Sequence, residues 1–312
     1  MDFQFSDPKT LDTAKEYPCI YRGDYEDTEE LRELIVEDGI REIGEDAFRD
    51  FCHLESVTLP DSVEIIGASA FCGCTALRRV TLGRGVRILA DEAFFACSSL
   101  MGITLPNTLT HIGEGCFEAC ASLSDVRFGE GLSSIGSGAF AYCFNLKSVQ
   151  LPDNLSLIEF SAFSNCYGLE SVHLPNELYL IGESLFEGCR SLVDVDLPPK
   201  LYKISSCAFK GCASLKMLIL PTTLHEIGFD AFAGCSSLSR IALPLDLKEI
   251  EDEDAFSACD SLTDISFAGS KEEFEFITHG KTLTVERSDM TLFTPRVTFL
   301  NLKRPTIKNN GG

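Results

Sequence analysis

The sequence predicts an α/β solenoid: short strands stacked in parallel along one side, with short helical or 3₁₀ turns along another. Two observations carry that prediction. Phenylalanine recurs at Phe48, Phe71, Phe94, Phe117, Phe140, Phe163, Phe186, Phe209 and Phe232, each 23 residues from the one before, and Phe256 follows after 24. The other apolar positions hold register with it, as in Leu100, Ile103, Leu105, Pro106, Leu109, Ile112, Gly113, Phe117 and Cys120, so the unit reads LxxVxLPxxLxxIGxxAFxxCxx. Twenty-three residues cannot enclose a core alone, whereas stacked units can, each covering its neighbour's apolar face.

Each segment of the chain has its own physical reading. Residues 1–30 are acidic and aromatic, with Phe3, Phe5, Tyr17, Tyr21 and Tyr25, and are expected to cap the open edge of the first turn. A half-unit follows, with Leu31, Leu34, Val36, Ile40, Ile43 and Gly44 in phase and Tyr25 where a phenylalanine would fall. In LxxVxL the period-2 alternation marks a short strand with one side inward. Proline after it (Pro60, Pro106, Pro152, Pro175, Pro198, Pro221, Pro244) ends the strand by withholding a ladder donor. The LxxIG pair is expected to turn the chain along the next side, its glycine tolerating a tight corner. The AFxxCxxL spacing suits a short helical or 3₁₀ turn. The one added residue lies within 251–254. Beyond the repeats, Lys271 to Thr278 reads as one or two helical turns, the segments around Leu283–Val285 and Val297–Leu302 as strands, and the basic end (Arg296, Lys303, Arg304, Lys308) as a solvated tail.

The repeated LxxVxLPxxLxxIGxxAFxxC unit resembles that of the BspA-like leucine-rich repeat family. The resemblance spans roughly residues 31–270 and implies a right-handed solenoid with a concave parallel sheet, bacterial membership, and roles in adhesion or protein binding. Phe267 to Ile277 (FAGSKEEFEFI) is similar to a closing segment that in this family usually carries tryptophan where Phe274 stands. The expected organisation is an N-terminal cap over 1–30, a solenoid of a half-unit plus ten repeats over 31–270, and a C-terminal cap and tail over 271–312.

Composition and motifs exclude several functions. A net charge of −22, from 26 basic and 48 acidic residues, opposes general nucleic-acid binding and polybasic docking on lipid. Nothing in the chain is long and apolar enough for a membrane helix, and residues 1–30 lack the apolar run of a signal peptide. The chain as given therefore reads as cytoplasmic, with the cell surface or secretion as the alternative if a leader has been removed. Nine of the 14 cysteines (Cys74, Cys97, Cys120, Cys143, Cys166, Cys189, Cys212, Cys235, Cys259) hold one repeat position. Stacked side chains in such a column point the same way, which suits buried thiols better than disulfides. His111, Cys116 and Cys120, with Cys72 and Cys74 apart from them, lack zinc-site spacing, so neither metal nor cofactor is expected. The five histidines are scattered and no nucleophile or phosphate-loop motif is present, so no catalytic residue is assigned and no enzyme is expected.

In a solenoid the outward positions of the strand face vary while the frame repeats. Here those positions hold seven bases (Arg32, Arg78, Arg79, Arg127, Lys147, Lys216, Arg240) and seven acids (Glu33, Glu55, Asp125, Glu170, Asp194, Asp196, Asp264). The negative charge thus lies off this face. Val193, Met217, Ile219 and Ala242, ringed by Asp194, Asp196, Lys216 and Arg240, form the expected centre of a protein-binding surface. Arg78 and Arg79 beside Thr58, Thr81 and Thr104 are secondary candidates. Phe160 and Phe229 are a third, with packing between turns the favoured account of their position. The expected function is a monomeric, non-enzymatic scaffold for protein binding or adhesion. The alternative, cell-surface carbohydrate or glycoconjugate binding, is disfavoured because the strand face offers no aromatic ring to a sugar.

Overall fold

The computed structural model describes residues 19–25, 31–279, 283, 285–286, 292–300 and 302. They form a parallel-strand solenoid of about eleven turns with little helix. The expected cap residues Phe3, Phe5 and Tyr17, and the tail bases Lys303, Arg304 and Lys308, lie outside the described residues.

A first ladder is built from the LxxVxL segments, beginning with Glu33–Ile35, Ser56–Thr58 and Arg79–Thr81 and running to Arg240–Leu243 and Asp264–Phe267, where Arg296–Phe299 adds a further parallel strand, so Arg296 is part of the sheet and not of a solvated tail. Pairing is parallel and one period apart, as in Val57 beside Val80. The central apolar residue is buried in each (Leu34, Val57, Val80, Ile103, Val126, Val149), and its neighbours mostly face outward, as the alternation requires. The unit containing Met217 departs from this pattern: segment 215–220 forms no strand and keeps one bridge, Ile219 to Ala242. A second ladder is built from the LxxI segments, from Glu42–Ile43 to Glu249–Ile250. Cys19–Ile20 joins its open end by pairing with Glu42–Ile43, so part of the N-terminal segment does continue the stack. The second ladder is interrupted between Leu157–Ile158 and Leu180–Ile181.

The AFxxC side corrects the helical expectation. Each turn donates three N–H groups to the next: Asp46 to the Ala68 oxygen at 2.9 Å, Phe48 to Ala70 at 2.7 Å, and Asp50 to Cys72 at 2.7 Å. Asp46 and Asp50 are left-handed (φ 55° and 62°), and the same two columns remain left-handed through Asp230 and Gly234. A left-handed residue every fourth position breaks helical hydrogen bonding and aims the peptide groups at the neighbouring turn instead. Among the described residues the one 3₁₀ helix is Glu253–Phe256, in the unit with the added residue.

The LxxIG glycine is also corrected. Its φ is not left-handed; it is needed for close approach, since a Cβ on Gly136 would lie 2.7 Å from the Glu114 nitrogen and the Gly113 carbonyl carbon. The core is the recurrent column set. Phe48 through Phe256 are fully or almost fully buried, with successive rings stacked at centroid separations of 5.2 to 6.0 Å. Tyr25 extends the column at 5.2 Å from Phe48, in the place expected for it. The helix Lys271–Ile277 closes the far end with a Ser270/Glu273 capping box and buries Phe274 against Phe267 at 5.7 Å.

Candidate binding surface

The outward rows of the first ladder place the sequence candidates side by side. In one row His173 pairs with Asp196, and Ile219 with Ala242, which pairs in turn with Ser266. In the adjacent row Ser171 pairs with Asp194, and Arg240 with Asp264. Met217 occupies the intervening turn of that second row. The apolar members project well into solvent: Val193 is 49%, Met217 66% and Ile219 76% exposed. Asp196, Lys216, Arg240 and Ala242 are exposed around them, and Asp194 is placed by its backbone register. Next to the patch, Thr263 and the Arg296 guanidinium bond to the Asp264 carboxylate and hold it below the usual carboxylate range. Lys216 and Arg240 make no ion pair among the described residues.

Arg78 and Arg79 lie near the other end of the same face, exposed, with Thr58, Thr81 and Thr104 exposed beside them. Phe160 and Phe229 are not brought to this face. They sit on the turn side at 58% and 53% exposed, so packing between turns, the favoured sequence account, does not explain them. Their column is occupied by Glu, Asp, Ser or Ala in most other units because it points outward.

A second exposed surface was missed from the sequence. Along the second ladder Tyr179 stacks on Tyr202 at 5.1 Å and Tyr202 on His225 at 4.5 Å, with Leu157 and Leu180 exposed nearby at the interruption of that ladder. The signal was available: one column reads Thr110, Ser133, Ser156 and then turns aromatic at Tyr179, Tyr202 and His225. These rings stack face to face along the solenoid axis, so their faces cover one another. Beside them Lys203 is held by Glu226 at 3.1 Å and Glu251 at 2.9 Å, and these bonds raise its pKa.

No catalytic constellation is assembled among the described residues. His111 Nδ1 lies 2.7 Å from Ser134 Oγ, but both sit on an open sheet face with no carboxylate bonded to the ring. Among the described residues no group of three His, Cys, Asp or Glu side chains is placed to hold a metal ion, and no helix is long and apolar enough to cross a membrane. Shallow grooves among the described residues include one of about 280 Å³ between Leu245, Leu247, Phe276 and Ile277 and one of the same volume between Arg41, Asp61, Glu64 and Arg87.

Comparison with known proteins agrees with the repeat. Among solved structures the chain is similar to a leucine-rich repeat protein of T. pallidum, at 29% identity over 66% of this chain and 78% of that one, with a TM-score of 0.43. It is similar to a leucine-rich cell surface protein of Faecalibacterium prausnitzii at 26% identity, over 79% and 90% of the two chains, TM-score 0.44. Similarity to the pneumococcal vaccine antigen PcpA covers 92% of each chain at 18% identity, TM-score 0.44. None of the curated proteins compared matches the sequence. The model of the BspA type leucine rich repeat region matches residues 41–170 and 156–278 in six copies, and with the 23-residue column pattern seen in three dimensions, the chain belongs to that family.

Proposed function

We propose that the protein is a non-enzymatic binding scaffold whose partner is another protein, held on the first-ladder face around Val193, Asp194, Asp196, Lys216, Met217, Ile219, Arg240 and Ala242. The observation that carries this reading is the exposure of Met217 and Ile219, 66% and 76%, as neighbours in a unit whose first-ladder segment forms no strand. Single exposed apolar residues are ordinary, but a cluster with cations on its rim has the anatomy of an interface core. Leucine-rich-repeat solenoids typically serve as such scaffolds, and adhesion is the use of that binding that the family membership favours.

The test is a double substitution, Met217→Asp with Ile219→Asp, which leaves the buried Leu218 and Leu220 in place. A partner is first identified by crosslinking in the native cells and then purified. Affinity for it should fall at least about tenfold, the scale of losing two interface anchors. Unchanged affinity sinks the patch as the contact. Binding on a glycan array that depends on a first-ladder residue would favour the carbohydrate reading instead.

A further inference from the structure

We propose that Arg78 and Arg79 form a site for the paired carboxylates of a short acidic protein segment crossing the first-ladder face. The inference rests on the protein-binding reading of that face and adds the chemistry of what is bound. It starts from an imbalance. The chain holds 48 acidic residues against 26 basic ones, and four nearby arginines are engaged: Arg32 with Glu55, Arg41 with Glu64, Arg84 with Asp61, and Arg127 with Asp125, whereas Arg87, beside the second ladder, is exposed and outside any ion pair among the described residues. Arg78 and Arg79 are consecutive, exposed and without an ion pair among the described residues.

Register explains why. Arg79 is flanked across the ladder by Ser56 on one side and Gly102 on the other, so neither neighbouring turn supplies a carboxylate. Glu55, the acid nearest in register to Arg78, is taken by Arg32. Arg78 and Arg79 are thus consecutive exposed guanidinium groups without a carboxylate partner among the described residues, and each such fork can bind a carboxylate bidentately. Beside them Thr58, Thr81 and Thr104 form an exposed hydroxyl row, one per turn at about 4.8 Å spacing, suited to the polar groups of an extended peptide.

The flanking charge limits the occupant's length. Glu33 lies two turns to one side without an ion pair among the described residues, while Glu55 and Asp125 are paired with Arg32 and Arg127, so a long uniform polyanion such as a sulfated polysaccharide meets repulsion beyond the arginines on the Glu33 side. A segment carrying two adjacent carboxylates does not, because the remaining negative charge is screened beyond about 8–10 Å in physiological salt.

The experiment passes the full-length protein over an immobilised peptide, Gly-Ser-Glu-Glu-Ser-Gly, and over its counterpart with both glutamates replaced by glutamine. Retention on the glutamate peptide should exceed that on the glutamine peptide by about tenfold and should weaken as salt is added. Arg78→Glu with Arg79→Glu should abolish the difference, and Arg78→Gln with Arg79→Gln should reduce it without reversing local charge. Met217→Asp with Ile219→Asp should leave it intact, which separates this site from the apolar patch. Equal retention on the two peptides, no loss in either arginine variant, or binding of heparin without binding of the glutamate peptide would each overturn the proposal.

Discussion

Each ladder cysteine donates its thiol to the carbonyl oxygen of the phenylalanine in the preceding turn: Cys74 to Phe48 at 3.1 Å, Cys97 to Phe71 at 3.2 Å, and so on to Cys259 and Phe232 at 3.1 Å. The column therefore combines a small apolar body with a weak donor for a buried backbone acceptor. The nine cysteines of this column are free thiols. Burial raises the thiol pKa of Cys74, Cys97, Cys120, Cys143, Cys166, Cys189 and Cys212, to about 12 for Cys120 and Cys166, and contact with the Cys259 thiol does so for Cys235. In the unfolded chain a thiol ionises near pH 8.5. Below that pH both states are protonated and these groups do not affect stability. Above it the unfolded chain loses protons that the native protein keeps, so stability falls with rising pH, by up to about 1.4 kcal/mol per pH unit for each thiol. The urea midpoint should therefore drop steeply between about pH 8.5 and 10; a flat midpoint across that range would refute this account of the column.

At the scale of the element, the repeat motif was legible because buried columns must recur. Leu, Val, Ile, Phe and Cys return at fixed offsets since each lies over its copy in the adjacent turn. Backbone conformation was not legible in the same way. The left-handed columns are occupied by Asp, Ser, Glu, Ala, Cys, Tyr, Asn and Gly in different units, so residue type does not announce them, and a helical turn is expected where a third inter-turn ladder stands. The LxxIG glycine was recognised, but for a dihedral it does not adopt. Its two environments make a paired test. Gly136→Ala places a methyl 2.7 Å from backbone atoms that cannot yield, whereas at Gly182 the nearest atom is the Ile158 oxygen at 3.6 Å. Gly136→Ala should cost about 1–3 kcal/mol in chemical denaturation and Gly182→Ala less than about 1 kcal/mol. Equal costs would mean that close approach is not why glycine is used here.

Across the whole molecule, stability is a sum of similar turns and interfaces, which makes the period itself a mutable quantity. Excising residues 123–145 removes one full 23-residue unit and lets Phe163 stack on Phe117 with every ladder in register. The shortened protein should unfold cooperatively at a moderately lower temperature. Excising 123–134 instead puts apolar columns opposite polar ones and should leave no cooperative thermal transition by circular dichroism. The candidate surfaces belong to this scale as well. From the sequence, the outward positions around Met217 and the pair Arg78–Arg79 could be listed together: the alternation in LxxVxL places Arg79 outward with Thr81, and Arg78 precedes that strand. By itself the sequence determined the period, the buried columns, the strand ladder of the LxxVxL segments and the family, since all of these follow from apolar residues recurring at a constant interval. Only the tertiary structure decided that the third side is a ladder of tight turns, that Tyr179, Tyr202 and His225 form one stack, and that Arg78 and Arg79 have no carboxylate partner. Those features depend on backbone dihedrals and on which side chains from different turns come within reach of one another, and a repeat pattern leaves both open.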